Sequence, residues 1–159
     1  AGYPGMIQRF PNMEVWGHED ARVPNLLGHV VFRNVDFTDT WVSAPGESID
    51  WEAGSISLTV THSPGHAPGH VTFHGHGVYH AGDLLFVRSA GRVDLPGGDP
   101  RAQQMSLIRA KEILQGLPQD WRLIPGHRYD DFRGEVPDWI SLGDALKHNY
   151  FLSNITMVD

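Results

Sequence analysis

A mixed α/β layered domain is the fold this sequence predicts, and three observations predict it. Ile56, Leu58 and Val60 alternate with Ser57, Thr59 and Thr61, the period-two pattern of a half-buried strand. Asp99-Pro100 opens a helical stretch, with the aspartate as N-cap and the proline at the first helical position. Three apolar runs each end at a sharp glycine turn that carries a polar side chain: Ser63-Pro64-Gly65-His66, Ala81-Gly82-Asp83 and Ile124-Pro125-Gly126-His127. Short strands followed by helices bury their apolar faces best as stacked layers.

Each element follows in chain order. Gly2–Phe10 reads as a short helix stopped by Pro11-Asn12, and Glu14–Gly17 as a strand. Leu26–Ser43 mixes apolar and polar residues without a period and is left untyped. Glu47–Trp51 and Ile56–His62 form two strands joined at Ala53-Gly54. Val71–His74 and Val78–Ala81 form a hairpin whose tip is Gly75-His76-Gly77. The helix from Pro100 to about Leu114 is expected to bury Met105, Ile108, Ile113 and Leu117, with Gly116 and Pro118 ending it. Trp121–His127 reads as a short apolar strand that runs into a loop, and Asp138–Asn149 is expected to be a final helix.

The chain has 159 residues, enough for one domain, and 1–159 is read as such. Its formal net charge is −7, with no cluster of Lys and Arg, which argues against nucleic acid as a partner. No apolar run is long enough to cross a bilayer, and no basic-then-apolar leader opens the sequence, so a cytoplasmic location away from membranes is expected. Cysteine is absent, which excludes disulfides, thiolate ligands and thiol catalysis. A metal site must therefore use His, Asp or Glu, and the chain holds 10 histidines.

The three glycine turns supply two imidazoles and one carboxylate. Side chains at strand ends point into a common rim, where binding sites collect on loops held by a rigid scaffold. Two histidines and an aspartate brought together there suit Zn²⁺, Mn²⁺ or Fe²⁺. A single Pro-Gly-His is only a turn; two of them around an apolar run ending in Gly-Asp point to a site.

The order and spacing of "HSPGHAPGHVTF", "YHAGDLLF", "GRVDLPGGD" and "LIPGHRYDD" strongly resemble the metallo-β-lactamase superfamily, most of all its glyoxalase II-like hydrolases. The resemblance runs from Ala1 to about Asp131. It implies an αββα sandwich with a dinuclear metal site at one edge of its two sheets. Carried over by position, His66 and His127 are the metal ligands after the Pro-Gly turns, and Asp83 is the carboxylate shared by two divalent ions, zinc first with iron or manganese as alternatives. Asp83 is also the catalytic residue the resemblance implies. Arg92 and Tyr129 stand where relatives contact glutathione, so they are the expected substrate-binding residues; the plainer reading has Arg92 paired with Asp94 and Tyr129 packed on its loop. His62 is expected to face a packed neighbour, and His70 to be a strand residue. His74, His76 and His80 surround a hairpin, and His18, His29 and His148 are read as surface or satisfied polar groups.

The family's HxHxDH motif, which supplies four further ligands, is absent. The chain therefore reads as an incomplete domain whose first sheet lacks its N-terminal strands, inactive and poorly stable by itself; the rival reading is a non-catalytic fold remnant. Among the family's chemistries, Asp at position 83 and the lack of cysteine argue against lactam hydrolysis. The short interval from Asp83 to His127 leaves no room for a nucleic-acid-processing insert. The resemblance thus implies, for the parent protein, hydrolysis of a small thioester or ester by metal-activated water. A lactonase or a persulfide dioxygenase is the alternative.

Overall fold

A computed structural model describes residues 3–21 and 36–155 of the chain. Of the segment left untyped from sequence, the part before residue 36 lies outside the described residues, as does His29. The elements in order are helix α1 (Tyr3–Arg9), strand β1 (Trp16–His18), a 3₁₀ turn (Glu19–Ala21), strands β2 (Asp39–Trp41), β3 (Ser48–Ala53), β4 (Ile56–His62), β5 (Val71–Gly75) and β6 (Val78–Gly82), helix α2 (Pro100–Gly116), strands β7 (Arg122–Pro125) and β8 (Ile140–Ser141), and helices α3 (Leu142–His148) and α4 (Tyr150–Asn154). Strands β3 to β8 form one six-stranded sheet in sequential order, and β1 pairs with β2 in a small parallel sheet.

Two tight turns set the register of the main sheet. Gly54, at φ +61°, closes the β3–β4 hairpin and places Trp51 opposite Leu58 and Ile49 opposite Val60. His76 and Gly77, both at positive φ, close the β5–β6 hairpin and set Phe73 against His80. Helix α2 then carries the chain back so that β7 runs parallel to β6. Asp99 caps α2 as its sequence announced, accepting from the backbone N–H groups of Arg101 and Ala102.

The alternation of each strand separates two faces. One face sends Tyr79, Ala81, Leu123 and Ile140 against Leu107, Ala110, Leu114, Leu142 and Leu152 of the three helices, the main apolar core. Burying these side chains is the principal source of stability, at about 25 cal/mol per Å² removed from water. The opposite face carries Trp51 and Phe73, and Trp41 of the small sheet packs on both with ring centroids 5.6 Å apart. His18 at the end of β1 stacks on His62 at the end of β4, centroids 3.6 Å apart, and a ring nitrogen of each faces the Ser43 carbonyl at 3.1 Å. These contacts clamp the small sheet to the large one.

Three expectations need correction. The final helix does not start at Asp138: β8 forms first by pairing with β7, Leu123 opposite Ile140, and Ser141 then caps α3 by accepting from the Asp144 N–H. Met105 is exposed rather than buried, because α2 turns Gln103, Ser106, Leu107 and Ala110 inward. His70 lies ahead of β5 rather than on it.

Candidate metal centre

The sheet topology explains how three distant segments meet. Strand β4 is antiparallel to β5, and β5 to β6, so β4 and β6 run the same way, and β7 is parallel to β6. Their C-terminal ends therefore share one sheet edge. His66, Asp83 and His127 follow these ends, and the structure brings all three together.

Asp83 sits at the centre, with one carboxylate oxygen toward each imidazole. Its Oδ2 is 3.2 Å from His66 Nε2, and its Oδ1 is 3.5 Å from His127 Nε2. The Nδ1 of His66 donates to the Arg92 carbonyl at 2.8 Å. A carbonyl can only accept, so that contact places a proton on Nδ1 and leaves the Nε2 lone pair facing the carboxylate. Two electron-rich atoms this close are favourable only with a proton or a cation between them. A histidine oriented through its second nitrogen is also the usual arrangement of an imidazole ligand. The donor set therefore fits divalent cations. Because the two imidazoles address different oxygens of Asp83, the arrangement suits two ions sharing one carboxylate rather than one ion held by three groups.

Glycines make the close approach possible. A Cβ on Gly126 would collide with Asp83 Oδ1, and one on Gly91 would collide with the Asp83 carbonyl. Gly82, at φ +53°, turns the chain out of β6 in a conformation that costs other residues about 1–2 kcal/mol. Helix α2 grips the two loops at the site: Ser106 Oγ donates to the Pro64 carbonyl at 2.7 Å, and the Gln103 amide donates to the Leu84 carbonyl at 3.3 Å.

A cavity of about 240 Å³ opens over Asp83 and is bordered by Phe86, Arg92, His127 and Tyr129. Arg92 and Tyr129 are thus at the site, and each also has a local partner. Arg92 donates twice to Asp94, both contacts at 2.7 Å, and this pairing holds the Asp94 carboxyl down at about 2. Tyr129 packs edge-on against Phe86, centroids 5.0 Å apart.

The remaining histidines divide by environment. His62 is buried against His18, as its expected packed neighbour requires. His18 is buried and hydrogen-bonded, and burial, followed by the nearby His62, lowers its pKa. Among the described residues, His18, Asp20 and His62 come within 4.8 Å of one another by their ligating atoms. Their ring nitrogens also have protein partners. His62 faces the Ser43 carbonyl through Nδ1 at 3.1 Å and the Pro68 carbonyl through Nε2 at 2.8 Å, and its ring stacks on that of His18. His74 stacks on Tyr79, His76 and His80 are exposed, and His148 stacks on Phe132. The residue that sequence reasoning missed is His70. Its Nε2 accepts from the backbone N–H of Asp83 at 3.0 Å, and burial, reinforced by His66, pushes its pKa down to about 4.

Residues 1–127 match the sequence model of the Metallo-beta-lactamase superfamily. The chain belongs to the metallo-β-lactamase superfamily. It is 32% identical over 128 residues to a hydroxyacylglutathione hydrolase of Aeromonas salmonicida (strain A449), an alignment that takes in 80% of this chain and 42% of that relative. The chain thus spans less than half the length of this curated relative. Among solved structures of the metallo-β-lactamase fold, BLEG-1, described as a B3 metallo-beta-lactamase, superposes with a TM-score of 0.71 at 25% identity, over 94% of this chain and 69% of that one. TTHA1623 in a di-iron-bound form superposes with a TM-score of 0.64 at 28% identity, over 95% of this chain and 70% of that one. The αββα class expected from sequence is the class of these neighbours.

Proposed function

We propose that this chain carries the metal-holding edge and acyl pocket of a hydrolase that cleaves a small thioester of the hydroxyacylglutathione type. One observation carries the reading: Asp83 offers an oxygen to each of two imidazoles, at 3.2 and 3.5 Å, on the floor of an open cleft. His66, Asp83 and His127 would hold two divalent cations, zinc first, with iron supported by the di-iron-bound neighbour. Such ions would supply Lewis acidity toward the scissile carbonyl and make water nucleophilic near neutral pH.

The chain's own residues do the rest. Asp83 would space the two halves of the site and accept a proton from water in the cleft. His66 is kept in one tautomer by the Arg92 carbonyl. Phe86 and Tyr129 form an aromatic wall beside His127 that shields one side of the cleft. Arg92, exposed and paired with the equally exposed Asp94, can exchange that partner for a substrate carboxylate at small cost. A cavity of about 240 Å³ suits an acyl group, with the thiol carrier lying along Arg92 and Tyr129. The relative's hydroxyacylglutathione hydrolase activity supports the thioester over other acyl substrates.

Three donors are fewer than the four a single zinc ion takes, so further ligands must complete each shell, and the test belongs in the full-length protein. The zinc-loaded protein should hydrolyse a hydroxyacylglutathione thioester faster than a lactone or a β-lactam, and Asp83→Asn should remove both the activity and at least one equivalent of zinc. Hydrolysis of the lactone or the lactam with the thioester untouched would overturn the substrate assignment. Zinc content unchanged in Asp83→Asn would overturn the site.

A further inference from the structure

We infer that His70 is a positioning residue of the metal centre: its neutral imidazole accepts the Asp83 backbone N–H and thereby aims the Asp83 carboxylate between His66 and His127. The inference rests on the proposed metal site and adds to it a residue that touches neither ion nor substrate.

Four observations support it. First, the Asp83 amide lies beyond the last ladder pair of β6 with β7, which joins Gly82 to Pro125, and it donates to His70 Nε2 at 3.0 Å. Second, Gly82 gives the turn its shape and the space for this contact. It sits at φ +53°, and a Cβ there would stand 2.7 Å from His70 Nε2. The glycine thus admits the imidazole as well as the turn. Third, the loop that bears His70 is pinned at both ends, with the His70 N–H donating to the Ala67 carbonyl and the His70 carbonyl accepting from Ser63. The ring is therefore offered from a fixed backbone. Fourth, a ring nitrogen that accepts an N–H has no lone pair left for a cation. His70, although its ring lies 6.3 Å from that of His66, is therefore excluded as a ligand.

The physical role follows from where the Asp83 side chain starts. Its two oxygens must address two nitrogens at once, so rotation of the preceding peptide plane swings one oxygen away from its partner. A hydrogen bond to that peptide N–H fixes the plane. Leu84 N–H donating to Ala81 O at 3.1 Å fixes the following side of the turn. Partners of this kind typically contribute about 10- to 100-fold to metal affinity.

The test uses the full-length protein with two substitutions and two readouts. His70→Gln keeps an acceptor at about the reach of Nε2, and His70→Leu fills the space without one. Zinc affinity, measured by competition with a chromophoric chelator, should fall by about 10- to 100-fold in His70→Leu and stay within about threefold of wild type in His70→Gln. Independently, ¹⁵N spectra of the wild-type protein should show a His70 ring protonated at Nδ1 only, and a slowly exchanging Asp83 amide. A His70→Leu variant that binds zinc as tightly as wild type overturns the inference, as does a His70→Gln variant as weak as His70→Leu. Should His70→Leu fail to fold, a proton on Nε2 or a fast-exchanging Asp83 amide in the wild type overturns it by itself. Should the wild type bind no zinc, the metal site fails, while the spectra still decide whether His70 holds the Asp83 amide.

Discussion

Replacing Gly126 with alanine should remove metal binding while leaving the fold in place. The glycine is not in the left-handed region, so the substitution carries no φ penalty. All of its effect is steric. The added methyl would overlap Asp83 Oδ1, and it would stand 3.0 Å from the Gly82 carbonyl carbon and oxygen. The backbone atoms need to give only a few tenths of an ångström, whereas the carboxylate must retreat by about 1 Å to regain ordinary contact. Metal–ligand distances tolerate about 0.2 Å, so a retreat of this size breaks the Asp83 bond on the His127 side. Local overpacking costs about 1–3 kcal/mol, partly offset by about 0.4–1 kcal/mol from the stiffer unfolded chain. In a domain of this size that amounts to a Tm lower by no more than about 10 °C. The measurement is metal content after dialysis against a weak chelator, beside a thermal melt of the metal-free protein. At least one equivalent should be lost, with a cooperative melt retained. Full metal content in Gly126→Ala would refute the placement of Asp83 Oδ1 as a ligand.

Other expectations follow from the same geometry. Arg92→Ala should raise KM for an anionic thioester by about tenfold with little change in kcat, because the guanidinium lies on the cavity rim and touches no reacting atom; a selective fall in kcat would sink that role. Tyr129→Phe should be nearly silent and Tyr129→Ala should raise KM, because the ring packs on Phe86 and its hydroxyl is not required for that contact; the two variants are compared in steady-state kinetics. Leu114→Ala, at a fully buried core position, should cost about 2–5 kcal/mol in urea unfolding. Metal-free protein should lose stability as pH falls below about 6.5. Burial holds His18, His70 and His74 below their unfolded pKa, so the unfolded chain binds protons first, and their contribution, fully present above that pH, drains away toward the folded values. His70 alone, lowered to about 4, accounts for about 2 kcal/mol between pH 6.5 and 5. Urea melts at pH 7.5 and 5 that gave equal stability would contradict this.

What could be read from the sequence, and what could not, divides by the range of the interaction responsible. Strand β4 was legible to the residue because its alternation is local, and the β5–β6 tip because Gly-His-Gly permits the positive φ that a tight turn needs. The Asp99 cap was legible because its partners are two and three residues away. Strand β8, with two residues, has no period to detect; it exists because Ile140 meets Leu123, which no local pattern announces. The buried stripe of α2 was misread for a related reason. An apolar period pointed to Met105, but the helix turns Gln103 and Ser106 inward to hold the carbonyls of Leu84 and Pro64. A polar residue facing inward records a distant backbone acceptor, and that acceptor is not in the window where periodicity is counted.

The site shows the same division. Once β5 is seen to run antiparallel to both β4 and β6, those two strands must point the same way, and a helix between β6 and β7 makes β7 parallel to them, since a crossover returns the chain in its original direction. The meeting of His66, Asp83 and His127 at one edge is therefore a consequence of elements that are individually legible. The direction of each lone pair is not. That His66 spends its Nδ1 on the Arg92 carbonyl, and that His70 spends its Nε2 on the Asp83 amide, depends on ångström-scale placement of loops 63–70 and 81–92. Two histidines four residues apart in "PGHAPGH" look equivalent as letters. They differ in which nitrogen is left free: Nε2 of His66 is open toward Asp83, whereas Nε2 of His70 is spent on the Asp83 amide, and the proposed roles of ligand and support rest on that difference.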